Sequence, residues 1–189
     1  MHDFILSKIS GEFIDIPSIL IKHFYNSGRI LNASNDELIL FLKDKGISED
    51  IIKTFLENKN EYNKNPLLFN KKYNEEIKGI REKEKIEITT ISDYDYPQQL
   101  KKIPNFPIVL YTKGNFNFDY NKSIAIVGTR TASTYALKKV REIVTELIRE
   151  GYCVISGLAR GIDGEAHRAA INSSGKTAKW LSGKGCVGI

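Results

Sequence analysis

The stretch V-I-S-G-L-A-R-G-I-D-G-E-A-H-R-A-A, Val154 to Ala170, is an apolar strand that breaks into a glycine-bearing loop and reopens as an alanine-rich helix. Its glycines stand at positions 157, 161 and 164. Glycine loses more backbone freedom on folding than any other residue, so such a loop is expected only where something must come close to the main chain.

The segment before it has the same grammar. Ser123 to Val127 reads as a short apolar strand that ends in Gly128-Thr129-Arg130. From about Tyr135 to Glu150, Leu137, Val140, Ile143, Val144, Leu147 and Ile148 recur at helical spacing, and Gly151 supplies the stop. Tyr152 to Ile155 is the next strand, and the helix beyond the loop runs to about Asn172. Strand, helix, strand, helix with continuously apolar strands predicts a parallel sheet with right-handed crossovers, an α/β fold of the Rossmann-like kind.

In an open parallel sheet, ligands bind beyond the carboxyl ends of the strands. Both loops lie there, and each precedes a helix whose unpaired N–H groups and positive dipole end attract anions. Gly128 and Gly157 are expected to let a phosphate approach the backbone. Arg130 and Arg160 supply charge and bidentate donors, Thr129 and Ser156 supply hydroxyls, and Gly161 closes the second loop. These seven residues are the expected phosphate-holding set.

Other chemistries fit less well. A dinucleotide fingerprint needs G-x-G-x-x-G, and neither loop has it. Ala170 to Thr177 (A-I-N-S-S-G-K-T) lacks the first glycine of a Walker A loop and follows a helix rather than a strand, so Gly175-Lys176-Thr177 is expected to be a helix-ending turn. Asp163 stands one turn before His167; the plain expectation is that Asp163 caps the helix and His167 packs or pairs locally. No nucleophile–base set, no metal cluster and no cofactor motif emerges.

Composition sets the class. A chain of 189 residues with 41% hydrophobic and 27% charged content is ordinary for a soluble globular protein. No run approaches a transmembrane length, and Met1-His2-Asp3 does not begin a secretory signal. Cys153 and Cys186 have neither disulfide-framework nor metal-ligand spacing, which points to a reducing cytoplasm. Residues 121–189 hold 11 Lys/Arg against 5 Asp/Glu, whereas residues 1–120 hold 17 against 18. A positive excess confined to the part with the loops favours a polyanionic partner.

The first 62 residues read as a small helical domain. Ile16 to Phe24 is a helix with Pro17 in its first turn, and Ser34-Asn35-Asp36-Glu37 is a capping box. Gly46 stops that helix and Ser48 starts another, which resembles a helix–hairpin–helix module with one hairpin glycine; simple packing explains it as well. Glu57 to Pro66, polar and asparagine-rich, is expected to be a linker or exposed turn. Residues 63–120 then carry a charged helix from about Leu68 to Glu84, strands at Ile86–Thr90 and Pro107–Tyr111, and turns at Pro97 and Gly114. Residues 121–189 form the Rossmann-like part.

The strings S-I-A-I-V-G-T-R (123–130), V-I-S-G-L-A-R-G-I-D-G-E-A-H (154–167) and G-K-T (175–177) resemble the DNA-processing protein A (DprA/Smf) family. D-Y-P-Q-Q-L-K-K-I-P-N-F-P-I-V-L-Y-T-K-G (95–114) is similar to the family's approach to its Rossmann-like domain, and the helical N-terminus matches more loosely. The resemblance spans about residues 1–177. It implies a cytoplasmic, non-catalytic protein that binds single-stranded DNA, protects it during natural transformation and recombination, and helps load the RecA recombinase as a homodimer. Matched position by position, Gly128, Thr129, Arg130, Ser156 and Gly157 would hold phosphate, and Arg160 stands where the family has lysine or arginine.

Beyond Thr177 the pattern departs. The family continues with an apolar strand, a G-x-G turn and a Y-P motif, whereas this chain reads A-K-W-L-S-G-K-G-C-V-G-I. Lys179, Ser182 and Lys184 are expected to interrupt a central strand, and the expectation is a truncated or frameshifted member with an incomplete sheet and an exposed edge. The alternatives are a nucleotide-processing, phosphoribohydrolase-like enzyme on a related fold, against which the absence of P-G-G-x-G-T-x-x-E counts, and an inert remnant with only a folded helical N-terminus.

Overall fold

The computed structural model describes residues 1–13, 15–113, 119–175, 177–179 and 186–188. The chain divides into two compact units, Met1–Leu110 and Tyr111–Ile189.

The first unit begins with six helices: α1 (His2–Ile9), α2 (Asp15–Phe24), α3 (Ser27–Asn32), α4 (Asn35–Asp44), α5 (Glu49–Lys64) and α6 (Pro66–Glu84). Phe4, Ile5, Leu6, Ile16, Leu20, Ile30, Leu38, Leu42 and Phe55 are buried among them and form their core. Ser34 caps α4 as its sequence predicts, its hydroxyl accepting the Glu37 N–H at 3.2 Å. Gly46 takes a φ of 74°, and the Ile47 N–H reaches back to the Leu42 carbonyl at 3.1 Å, which closes α4 with a left-handed turn.

The expected linker at Glu57–Pro66 is instead helix. α5 continues through Lys64, so the expected domain boundary at residue 62 falls inside it. The break is one residue long: Asn65 accepts the Leu68 N–H at 3.2 Å and Pro66 opens α6. Phe55, Leu56, Lys59 and Tyr62 line the buried face, and the polar residues between them face water. A helix this polar on its outer side reads as a linker until its inner face finds a core. Lys59 is buried there and donates to the Ala33 carbonyl at 2.9 Å, at the end of α3. Burial pulls its ammonium below the usual lysine range.

Strand β1 (Glu87–Thr90) follows, and then a segment in which the Tyr96 hydroxyl donates to the Pro107 carbonyl. The Ile91 N–H bonds the Ile108 carbonyl at 2.9 Å. Strand β2 (Val109–Lys113) carries the division between the units. The turn expected at Gly114 lies outside the described residues.

The second unit is a βαβαβ array. Strand β3 (Ser123–Ala125), helix α7 (Thr134–Arg149), strand β4 (Cys153–Ser156), helix α8 (Ile162–Asn172) and strand β5 (Thr177–Lys179) follow in order. The sheet order is β3-β4-β5 and all pairings are parallel, with Ile124 opposite Val154 and Ile155 opposite Ala178. The Ile126 N–H extends the first ladder to the Ile155 carbonyl at 2.9 Å. A last strand, β6 (Cys186–Gly188), runs parallel to β2 with Tyr111 opposite Cys186. The predicted Rossmann-like parallel sheet is therefore present.

Val144, Val154, Ala166, Ala169 and Ala170 form the core of this unit, with Ile126, Val140 and Ile148 packed on it. The alanines of α8 let α7 come close, and a Cβ on Gly175 would lie 2.3 Å from Ile148 Cδ1. Ile143, expected on the buried stripe of α7, is half exposed, because the stripe is wider than the surface that β4 and α8 offer it. Gly175 ends α8 as expected, its N–H reaching the Ala170 carbonyl at 2.9 Å; Lys176 is outside the described residues.

In the tail, Lys179 lies in strand β5, opposite Ser156. A parallel ladder uses main-chain groups, so a lysine at its end does not forbid it. Ser182 and Lys184 are outside the described residues.

Candidate functional site

β3 and β4 are parallel neighbours, so the loops that leave them emerge at the same edge of the sheet. They touch directly. The Ile162 N–H, at the start of α8, donates to the Thr129 carbonyl at 3.2 Å.

Asp163 joins them more firmly. One of its carboxylate oxygens accepts the Gly128 N–H and the other accepts the Gly157 N–H, both at 3.2 Å. The side chain is only 6% exposed. The expectation that Asp163 caps α8 is corrected: the N-cap is Gly161, and the aspartate spends both oxygens on the loops. A carboxylate in that position satisfies two main-chain donors, one from each loop.

The glycines are explained by the same closeness. A Cβ on Gly128 would lie 2.7 Å from Ile162 Cγ1, and one on Gly157 would lie 2.9 Å from an Asp163 oxygen. Gly161 has a φ of 80°, and a Cβ there would sit 2.2 Å from the Thr129 carbonyl oxygen. What approaches the backbone at these glycines is Ile162, Asp163 and the Thr129 carbonyl, and the phosphate inferred from the glycines is not required to explain them.

The seven expected residues therefore divide into two groups. Ser156 is buried and its hydroxyl donates to the Ile126 carbonyl at 2.6 Å, which ties β4 to the segment leaving β3. Gly128 and Gly157 give their N–H groups to Asp163, and Gly161 provides the close crossing. Those four build the site. Thr129, Arg130 and Arg160 remain exposed on it. The Thr129 hydroxyl accepts the Thr131 N–H at 3.2 Å and so shapes the turn that carries Arg130. Ser133 then caps α7, accepting the Ala136 N–H at 3.2 Å. Among the described residues, neither Arg130 nor Arg160 is paired with a carboxylate. Two unneutralised guanidinium groups on adjoining loops are suited to bidentate contact with an anion.

Sequence reasoning missed Asp163 as the joint between the loops. A signal existed, since an acidic residue in a first helical turn directly after a glycine loop faces whatever N–H groups that loop exposes. It also missed Glu165, buried on α8, which forms an ion pair with Arg141 Nε at 3.1 Å that ties α7 to α8, and a second one with Arg168 within α8 itself. His167 is buried, as a packing role requires. Among the described residues no group of three or more His, Cys, Asp and Glu is placed to hold a metal ion. No helix among them is long and apolar enough to cross a membrane.

Residues 87–186 match the model of a family described as DNA recombination-mediator protein A. The chain is 39% identical over 94 residues to the DNA processing protein DprA of Bacillus subtilis, covering 49% of this chain and 32% of that protein. It is 34% identical over 116 residues to the DprA of Streptococcus pneumoniae, covering 60% and 41%. Protein Smf of Escherichia coli is 38% identical over 80 residues, or 42% and 21% of the two chains. The matches thus span well under half of each of these relatives. The X-ray structure of the Streptococcus pneumoniae DprA superposes with a TM-score of 0.61 at 22% identity, covering 94% of this chain and 56% of that one, a likeness of fold.

Proposed function

The chain belongs to the DNA recombination-mediator protein A family, and from that membership we propose that it binds single-stranded DNA at the joined loops after β3 and β4. The observation that carries the reading is the pair of exposed, carboxylate-free arginines, Arg130 and Arg160, on two loops locked together at one sheet edge. Such a site holds phosphates by charge and tolerates any sequence. The excess of 11 Lys/Arg over 5 Asp/Glu in residues 121–189 supplies the field that draws a polyanion to it.

The proposal covers binding without catalysis, as part of DNA processing in recombination and transformation. RecA loading, a homodimeric state and a cytoplasmic location enter it from the family alone. Release of a base from nucleoside monophosphates by the purified protein would replace this reading with the enzymatic one.

Arg130→Ala tests it. In an anisotropy titration of a labelled oligothymidylate at several salt concentrations, the variant should bind more weakly and its log–log salt slope should fall by about 1, one phosphate contact fewer. An unchanged affinity and slope would remove Arg130 from the interface.

A further inference from the structure

The two loops and the first turn of α7 also carry side chains that no phosphate can use. Val127, 71% exposed, stands directly before Gly128. Leu158 is 50% exposed in the second loop and holds a φ of 55°, a left-handed conformation that a leucine rarely adopts. Tyr135, in the first turn of α7 five positions beyond Arg130, is 70% exposed.

The surroundings of Tyr135 are cationic. Residues 130–141 contain four Lys/Arg and no Asp/Glu. Lys139 Nζ lies 5.9 Å from the Tyr135 ring centroid. Thr134, Tyr135, Lys138, Arg141 and Glu142 line an open hollow of about 530 Å³. Lys139 is paired with Glu142 and Arg141 with Glu165, whereas Lys138 has no ion pair among the described residues. Water-exposed apolar and aromatic groups near Arg130, Arg160 and Lys138, none of which has an ion pair among the described residues, suit a ligand that is anionic along one side and flat and apolar along the other. A single strand is that ligand; a duplex turns its base faces inward and offers only edges and phosphates.

We propose that Tyr135 and Leu158 form a base platform: unpaired bases stack on the Tyr135 ring and pack on Leu158, while Arg130, Arg160 and Lys138 hold the phosphates. This rests on the single-strand reading above and adds to it the part of the nucleotide that is recognised. It assigns preference for single over double strands to apolar contact rather than to charge.

The test compares two labelled oligomers of equal length and charge, an oligothymidylate and an abasic phosphodiester, titrated by anisotropy at low salt with the full chain. The wild type should bind the thymidylate more tightly. Tyr135→Ala should weaken thymidylate binding about 5- to 150-fold, the range for one stacked base, and leave abasic binding and the salt slope unchanged. Tyr135→Phe should retain the wild-type value. Leu158→Gly, which suits the left-handed backbone, should lower thymidylate affinity in the same selective way, so the platform stays testable even if Tyr135→Ala disturbs α7.

Equal loss on both oligomers, or equal wild-type affinity for both, would overturn the platform while leaving phosphate binding intact. A change in sedimentation of Tyr135→Ala with unaltered DNA affinity would overturn it in favour of contact between two copies. A wild type that binds neither oligomer would bring down the single-strand reading, and the platform with it.

Discussion

Asp163 holds its place by accepting two N–H groups, one from each loop, with both oxygens and almost no exposure to water. Asp163→Asn keeps the volume but points an amide donor at one of those N–H groups. A hydrogen bond to a charged group contributes about 1.5–3 kcal/mol. The variant should therefore show a lower urea midpoint, and it should bind thymidylate and abasic oligomers equally less well because the two arginines lose their common mount. A midpoint equal to wild type would show that the carboxylate is not the joint. Arg130, by contrast, is exposed and unpaired with any carboxylate among the described residues, so Arg130→Ala should lower affinity without moving the midpoint. The two substitutions separate a residue that builds the site from one that uses it.

Among the elements, the crossing of the loops depends on Gly161. Its φ of 80° and the 2.2 Å approach that a Cβ would make to the Thr129 carbonyl leave no room for alanine. Gly161→Ala should destabilise the chain by more than the roughly 1 kcal/mol of a left-handed alanine, since the steric overlap adds to the backbone strain. Circular dichroism should show the helices retained and the melting temperature lowered. A melting temperature at or above wild type would mean that the loops can separate freely. At the same scale, Ala166, Ala169 and Ala170 keep α8 close to α7, and the ion pair of Glu165 with Arg141 ties the two helices beneath the loops.

For the molecule as a whole, charge and pH dependence come from different units. The cationic excess belongs to residues 121–189, whereas Tyr96 belongs to the first unit. Its hydroxyl is buried, donates to the Pro107 carbonyl, and has its pKa raised by burial above the ordinary value of 10.0. The unfolded chain thus loses this proton first. The stabilisation is fully present below about pH 10 and is lost as the pH rises through the folded value. Tyr96→Phe should remove this part of the alkaline fall in urea stability and cost about 1 kcal/mol at neutral pH. An alkaline limb identical in the variant and the wild type would refute the assignment.

Sequence alone determined the alternation of strand and helix from Ser123 to Asn172, because continuous apolar strands and the 3.6-residue recurrence in α7 are local properties of side chains. It also placed both loops at the carboxyl edge and singled out Arg130 and Arg160, since chain order and residue type need no partner to be read. Only the tertiary structure decided what the glycines are for. Whether a Cβ at Gly128, Gly157 or Gly161 meets a ligand or the protein itself depends on how the chain packs, and here Ile162, Asp163 and the Thr129 carbonyl occupy the space. The same holds for Ser156, whose hydroxyl found a neighbouring strand, and for the asparagine-rich run of α5, which became helix by burying Phe55, Leu56, Lys59 and Tyr62. Periodicity and composition are written in the chain; hydrogen-bond partners and close contacts exist only after it has folded.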